Sequence, residues 1–409
     1  MAVDAPAHPV QLVVTDDLRR SRITVFFRGL FVLPHIVWLG LLGIGMVFAV
    51  PINWVATLIR GEAPGGLDDF LTGYLRYRTH VYAYLLLASN PFPAFYIGAK
   101  LAEYPVDLQL PGPKPQNRWV TAFRFFLALP AILLAAVLVG GTIQAFFFFV
   151  YALTALTAIL MWPVSLIRGR APQGLRDLTL WAIGYRSQTI SYFWVLTDRY
   201  PNLSPTRILA GLPVPDAAGR ARLVNSDNLR RPRLTVFFRL MLAFPHLFWL
   251  YLWLILALFA SIANWFFTLA AGRAAGPLAR FLTRFVRYQV HVSSFLYGMG
   301  GPFPGFVGKE GTYPVDVEIP TADRQKRLVT LFRFVLVLPA AFLSYALSYF
   351  LGLVAIFGWF ASLVLGRMPA GIQEVGAYVI GYTAQLNCYV FSLTDRYPHS
   401  SPLAVLSTR

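Results

Sequence analysis

The sequence predicts an all-α integral membrane protein with a fourfold internal repeat. Each copy is an apolar helical hairpin followed by an interfacial amphipathic helix, and a small cytoplasmic strand cluster completes the fold. Three observations lead there. Of 409 residues, 57% are hydrophobic and only 13% charged, and the mean hydropathy of +0.59 lies outside the range of ordinary soluble domains. Four stretches hold no Asp, Glu, Lys or Arg: Gly29 to Ile59, Phe125 to Ile167, Leu240 to Gly272 and Phe334 to Gly366. Each exceeds the roughly 20 residues that span a bilayer core. Third, the chain repeats itself.

"LRRSRITVFFRGLFVLPHIVW" at Leu18 returns as "LRRPRLTVFFRLMLAFPHLFW" at Leu229. The same offset carries Asn53 and Trp54 onto Asn264 and Trp265, and Arg76, Tyr77 and His80 onto Arg287, Tyr288 and His291. Each half is itself double, because "RITVFFRGLFVLP" at Arg22 is echoed by "RWVTAFRFFLALP" at Arg118, and "RLVTLFRFVLVLP" stands at Arg327. Four repeats follow, at 1–98, 99–210, 211–308 and 309–409.

Every repeat reads in one order. A short extended segment comes first, "HPVQLVV" at His8, "YPVDLQLP" at Tyr104, "RARLVN" at Arg220 and "YPVDVEIP" at Tyr313; three of these alternate like edge strands headed by proline. An Arg-Phe-rich segment opens the apolar span. In repeat two that span is 43 residues long, from Phe125 to Ile167, and as one helix it would run about 64 Å, twice the hydrocarbon thickness. A hairpin is therefore expected, its tip at Gly140 and Gly141. By extension all four spans are read as hairpins, with arms of about 16 residues reaching only about 24 Å, so that repeats one, three and four dip as wedges.

A Gly-Arg punctuation follows each span. Next comes an amphipathic helix, which in repeat three, "GPLARFLTRFVRYQVHVSSF", sets Arg280, Arg284 and Arg287 on one face. Arginines at the bilayer centre would cost roughly 2.5 to 3.5 kcal/mol each, so this helix is expected on the membrane surface with its arginines toward lipid phosphates. Hairpins also keep every Lys and Arg on one side of the membrane, as the positive-inside rule requires.

Arg28, Arg124, Arg239 and Arg333 recur at the base of each span, six residues before a proline. They are candidate headgroup ligands, since guanidinium matches phosphate bidentately; the alternative is an interfacial anchor that fixes depth. His35 and His246 follow that proline, and His80 and His291 also correspond. Paired imidazoles can ligate haem, but no Cys or carboxylate cluster completes a ligand set, so neither cofactor nor metal is expected. Asn53 and Asn264 suit a polar pocket or an interhelical hydrogen bond. Repeats two and four end in "LTDRYP", where Asp198, Arg199, Asp395 and Arg396 form a proline-enforced corner. Each Asp opposes the helix macrodipole, and an ion pair with Arg124 or Arg333 is expected to clamp it. Repeats one and three have Asn90 and Gly301 there, leaving Phe92 and Phe303 to hold the exit by packing.

The net charge of +17 flanks apolar spans instead of decorating a solvated domain, which points to anionic membrane lipids as partners, with other membrane proteins possible, and not to nucleic acid. The first residues lack a basic segment followed by an apolar run, so no cleavable signal peptide is expected and the chain starts in the cytoplasm. The lone cysteine, Cys388, reads as a packed side chain. Enzyme signatures such as HExxH, GxSxG and Walker A are absent.

The succession "RLTVFFRLMLAFPHLFW", "GRAAGPLARFLTRFVRYQVHV" and "TDRYP" resembles the bacterial membrane family known as domain of unknown function 4389, over nearly the whole chain as four copies. In two copies the pattern departs from it, with Ala after Pro130 and Pro339 where the others have His. The resemblance implies an integral protein of the bacterial inner membrane, multi-pass with cytoplasmic termini, and supplies no activity. The function expected is a non-enzymatic scaffold or accessory protein that binds anionic lipid and shapes the leaflet. The rival is a transporter or channel for a lipid or small apolar solute.

Overall fold

The computed structural model describes residues 7–96, 102–140, 153–320 and 324–406. It divides into two compact units, one running to Leu203 with Arg207–Pro213, the other made of Ser204–Thr206 and the chain from Val214.

In the first unit β1 (Gln11–Val14) leads to α1 (Arg22–Phe31), which continues through Val32 into α2 (Leu33–Arg60). Then come α3 (Gly65–Leu85) and β2 (Val106–Gln109), which pairs antiparallel with β1, Leu12 opposite Leu108. After α4 (Arg118–Val139), α5 (Leu153–Arg168) and α6 (Gln173–Phe193), a single turn α7 (Pro205–Ile208) follows. The second unit holds β3 (Arg222–Asn225), α8 (Arg233–Phe237), α9 (Arg239–Ala271), α10 (Gly276–Leu296) and β4 (Val315–Glu318). It continues through α11 (Arg327–Leu331), α12 (Arg333–Leu336), α13 (Leu338–Leu365), α14 (Ala370–Val390) and α15 (Pro402–Leu406). Here β3 pairs with β4. The four extended segments thus make two separate two-stranded sheets, one per unit, where the sequence suggested a single cluster.

The expected hairpins are overturned in three repeats. Helices α2 and α13 run unbroken for 28 residues and α9 for 33. A turn within so apolar a run would leave backbone N–H and C=O groups without partners, whereas a continuous helix pairs them all. Only repeat two breaks its span. There Gly140 ends α4 with φ 82° and α5 packs back against it. Gly141, the other residue of the expected hairpin tip, lies outside the described residues. Among the described residues four helical stretches are long and apolar enough to cross a membrane: Arg22–Arg60, Arg118–Val139, Arg239–Ala271 and Arg333–Leu365.

The first unit is layered. Val10 and Leu108 of the sheet, Leu71, Tyr74 and Leu75 of α3, Trp194 and Leu196 beyond α6, and Met46 and Ala49 of α2 share one core. The middle layer is α3 and α6, with the sheet on one side and the apolar helices on the other. This corrects the reading of every amphipathic helix as a surface helix, because α6 and α14 are buried along most of their length. Several of their hydroxyls are satisfied locally, as where the Thr189 hydroxyl donates to the carbonyl of Tyr185 at 2.9 Å. Buried Cys388 is such a core residue, its thiol pushed up to about 12 by burial.

The apolar helices of each unit meet end to end. In the first, Trp162 Nε1 donates to Val25 O (3.2 Å) and Trp54 Nε1 to Thr121 O (2.8 Å). In the second, Trp359 Nε1 donates to Val236 O (2.8 Å) and Trp265 Nε1 to Thr330 O (2.7 Å). The glycines of the Gly-Arg punctuations sit at these joints. Gly61, Gly169, Gly272 and Gly366 end their helices at φ between 64° and 85°, a left-handed conformation that glycine adopts without a Cβ clash. Their carbonyls accept from the backbone of Gln116, Arg20, Gln325 and Arg231.

Where α6 passes beneath the sheet, a Cβ on Gly184 would stand 2.4 Å from Ile208 Cγ2 and 3.8 Å from Leu12. Gly184→Ala is expected to lower stability by about 1 to 3 kcal/mol through overpacking. Gly65→Ala, with nothing within 4 Å of its Cβ, should change it by less than about 0.5 kcal/mol. Thermal unfolding in detergent measures both.

Candidate functional site

The four span-base arginines occupy equivalent places and do one job. Arg28, Arg124, Arg239 and Arg333 are 3%, 0%, 3% and 1% exposed, too enclosed to meet a lipid headgroup. Each directs Nη1 at two backbone carbonyls where the following amphipathic helix ends. Arg28 takes Tyr84 O and Ser89 O (2.9 Å); Arg124 takes Tyr192 O (3.0 Å) and Thr197 O (2.9 Å). Arg239 takes Phe295 O (2.5 Å) and Gly300 O (3.2 Å), and Arg333 takes Tyr389 O and Thr394 O (3.0 Å). Each guanidinium also lies over an aromatic ring, Tyr84, Tyr192, Phe295 or Tyr389, at 4.4 to 4.9 Å, a contact worth about 1 kcal/mol or more when desolvated.

The grip explains a local strain. Leu87, Val195 and Ser392 end their helices at φ 62°, 64° and 57°, where the fourth helix uses Gly298 at φ 82°. A side chain in this region costs about 1 to 2 kcal/mol. The reversal lets the chain close back, Ser89 N to Ala83 O and Leu196 N to Ser191 O at 2.9 Å, while the arginine holds carbonyls on either side of the bend.

A second set, missed in the sequence reading, stands eight residues earlier. Arg20 donates through Nε to Leu87 O (3.0 Å) and Nη2 to Ala88 O (2.9 Å), and Arg231 does likewise with Gly298 O and Met299 O, both 2.9 Å. Gln116 reaches Val195 O (2.6 Å) and Gln325 reaches Ser392 O (2.7 Å). Asp16 and Asp227 pair with the two arginines at 2.9 and 2.8 Å. The signal was the fixed spacing of a long donor before each FR pair. Asn53 and Asn264 add to the same carbonyl clusters, donating to Trp194 O (2.9 Å) and Phe391 O (2.8 Å), which is the hydrogen-bonding alternative with a main-chain acceptor.

The candidate histidines are each held through one ring nitrogen. His35 bonds Tyr77 Oη (2.7 Å) between Phe92 and Phe95, and His246 bonds Tyr288 Oη (2.8 Å) between Phe303 and Phe306. Phe92 and Phe303 thus pack the exits of repeats one and three. Among the described residues no cluster of three His, Cys, Asp or Glu could hold a metal. His80 and Arg76 of α3 grip Asp107 of β2 at 2.8 and 2.5 Å, and His291 and Arg287 of α10 grip Asp316 of β4, both at 3.1 Å. Arg287 also meets Glu310 at 3.1 Å. It is buried, and only Arg280 and Arg284 of the expected lipid-facing trio are exposed.

The corner at "LTDRYP" is built differently from the ion pair expected. Thr197 Oγ1 accepts from Arg199 N and Thr394 Oγ1 from Arg396 N, both at 3.2 Å. Arg124 and Arg333 do clamp this exit, but through the carbonyls of Thr197 and Thr394. Neither Asp198 nor Asp395 joins a salt bridge among the described residues; Arg124 and Arg333 give Nη1 to main chain and feel these carboxylates only through space.

Arg124→Gln is therefore expected to lower stability by about 2 to 4 kcal/mol, leaving two buried carbonyls unanswered. Exposed Asp198, replaced by Asn, should shift it by less than about 0.5 kcal/mol; equal losses in thermal melts would contradict the carbonyl clamp. Asp107 and Asp316 supply a pH test. Burial opposes their ionisation, but the bonds from His80 and Arg76, and from His291, outweigh it and hold both carboxyls below the usual range. A depressed folded value means stabilisation that is whole above the unfolded carboxylate value, about 4, and is lost as pH falls through the lower folded one. Wild type should lose more stability between pH 7 and pH 3 than the double variant Asp107→Asn, Asp316→Asn, read from melts across that range.

No curated protein and no solved structure matches the chain. The sequence model of the family described as "Domain of unknown function (DUF4389)" matches residues 22–96, 233–304 and 327–401. These segments are repeats one, three and four; repeat two, whose span is broken into α4 and α5, falls outside them. Covering more than half of the sequence, the matches place this chain in the DUF4389 family.

Proposed function

We propose that the chain is a non-enzymatic scaffold of the bacterial inner membrane that seats its apolar helices in one leaflet, with its sheets and termini toward the cytoplasm. What carries this reading is the length and anchoring of α1–α2. Exposed apolar side chains run its whole course, with Ile23 69%, Ile44 61% and Ile59 68% exposed. The 39 residues of this stretch extend about 58 Å, and fitting them across a 30 Å core would take a tilt of about 60°, beyond the 0–40° of spanning helices. Both ends are instead tied to one layer. Arg28 holds the end of α3 and Asn53 the end of α6.

The sheet supports the same orientation. It crosses α3 at Arg76 and His80, midway along that helix. Were α3 to span the bilayer, an ion cluster and two open sheet edges would lie in hydrocarbon, where neither is tolerated. With α3 and α6 along the interface, the sheet faces water and the apolar helices form a wedge among acyl chains. That belt suits lipid or the apolar face of another membrane protein, and Arg280 and Arg284 suit anionic headgroups. The transporter alternative has two cavities in its favour: a polar one of about 160 Å³ between α10 and α14, small against the 300–1,000 Å³ of ligand sites, and one of about 920 Å³ lined by Asp227, Arg230, Thr235 and Phe303, which reaches that size as a widely open groove.

Single cysteines at Arg22 and Arg60, in a Cys388→Ala background, test the reading. Both should react with an impermeant maleimide added to inverted vesicles, and neither with reagent added to intact spheroplasts. Labelling from opposite faces would mean that α1–α2 crosses.

A further inference from the structure

Between α3 and α6 the first unit encloses two arginines that no carboxylate answers. Arg78 is 8% exposed, and its Nη2, like Nη1 of Arg186, is buried without a hydrogen-bond partner. No salt bridge among the described residues reaches either. Both guanidiniums lie on the ring of Tyr82, at 5.5 and 4.7 Å from its centre. Arg78 stands two residues after Arg76, turned about 200° around the helix, and so points away from the sheet. Val139, at the end of α4, lines the same spot.

The second unit has the same place without the charge. Gln289 stands for Arg78, Ser293 for Tyr82, Thr383 for Arg186 and Asn387 for Ile190. These side chains bond among their neighbours, Asn387 Nδ2 to Gln289 Oε1 at 2.7 Å and Thr383 with Ser344 at 3.1 Å. They border the cavity of about 160 Å³, whereas in the first unit the arginines fill all but about 10 Å³. The repeat therefore tolerates a neutral solution here, and the paired charges are not a requirement of the fold.

Each uncompensated buried ion costs several kcal/mol. Tyr82 answers part of this. Burial opposes its ionisation, but Arg186 and Arg78 outweigh that and bring the phenol down to about 7. One phenolate cannot balance two guanidiniums, and the donors left open are the planar forks that match phosphate oxygens. We infer that Arg78 and Arg186 are the seat of one phosphate group, which the Tyr82 hydroxyl bonds as a third donor. The guanidiniums move off the ring on their flexible stems to admit it. A phospholipid of the apolar layer and free phosphate share this chemistry.

The full chain, stripped of lipid in detergent, is tested with phosphatidylglycerol, diacylglycerol and inorganic phosphate, by native mass spectrometry and thermal shift. The double variant Arg78→Gln, Arg186→Thr carries the second unit's residues. If the phosphate is lipid-borne, wild type retains one more phosphatidylglycerol than the variant and melts several degrees higher with it, while diacylglycerol does nothing. If inorganic phosphate alone gives the shift, and the variant loses it, the seat stands and its ligand is free. Equal responses of wild type and variant to both ligands overturn it. Should the variant fail to fold, absorbance at 295 nm against a Tyr82→Phe reference decides on wild type. Bound phosphate raises the Tyr82 titration, and an unchanged titration overturns the seat. The lipid arm rests on the leaflet reading, whereas the phosphate arm does not, and the cysteine labelling tests that reading separately.

Discussion

A helix that ends inside an apolar body leaves carbonyls that water cannot reach, and the rest of this chain is arranged around the side chains that reach them. Arg28, Arg124, Arg239 and Arg333 each stand at the start of an apolar helix and hold the end of the amphipathic helix that follows. The start and finish of a repeat are thereby fixed together, whatever path the intervening residues take. A charged donor suits the task because it can serve two acceptors at once, and hydrogen bonds to a charged group are worth about 1.5 to 3 kcal/mol. The ring beneath each guanidinium gives a desolvated cation an attractive neighbour. With the bend secured, residues as ill suited to positive φ as Val195 are held there.

The recurrence of these arginines was legible in the sequence, and their partners were not. A carbonyl has no letter of its own, since every residue carries one, so a reading of side chains looks for charge to answer charge. That is why Asp198 and Asp395 drew attention as partners of Arg124 and Arg333 while the true acceptors sat one residue away, at Thr197 and Thr394. The same blindness hid Gln116 and Gln325. Membership of the repeat, the apolar stretches and the strand segments could be read directly, because composition, position in the repeat and, in three of the four segments, alternation record them. Hairpins were inferred from the excess length of repeat two and carried over to spans whose own sequence gives no turn. For α6 and α14, the surface position argued from the arginines of repeat three was carried over, but hydroxyls that bond the carbonyl one turn back can be buried at little cost.

The two units agree where the backbone must be held and part company where it need not be. Arg20 and Arg231, Asn53 and Asn264, and the His35 and His246 pairs make matching bonds to matching acceptors. At the crossing of the buried helices the first unit has Arg78 and Arg186 and the second Gln289 and Thr383. Duplication has preserved the fold's internal fastenings and left this spot free to differ.

The end-to-end joints also set a rule of number. Within the first unit, Gln116 of repeat two bonds the carbonyl of Gly61 in repeat one, while Arg20 of repeat one bonds that of Gly169 in repeat two; Gln325 with Gly272 and Arg231 with Gly366 do the same in the second. The exchange is reciprocal, so a lone repeat would leave both halves of it open. During synthesis the opening segment of repeat one waits for more than a hundred residues until its partner glycine emerges from the ribosome. The smallest piece that closes on itself is a pair, and an architecture of this kind grows by twos.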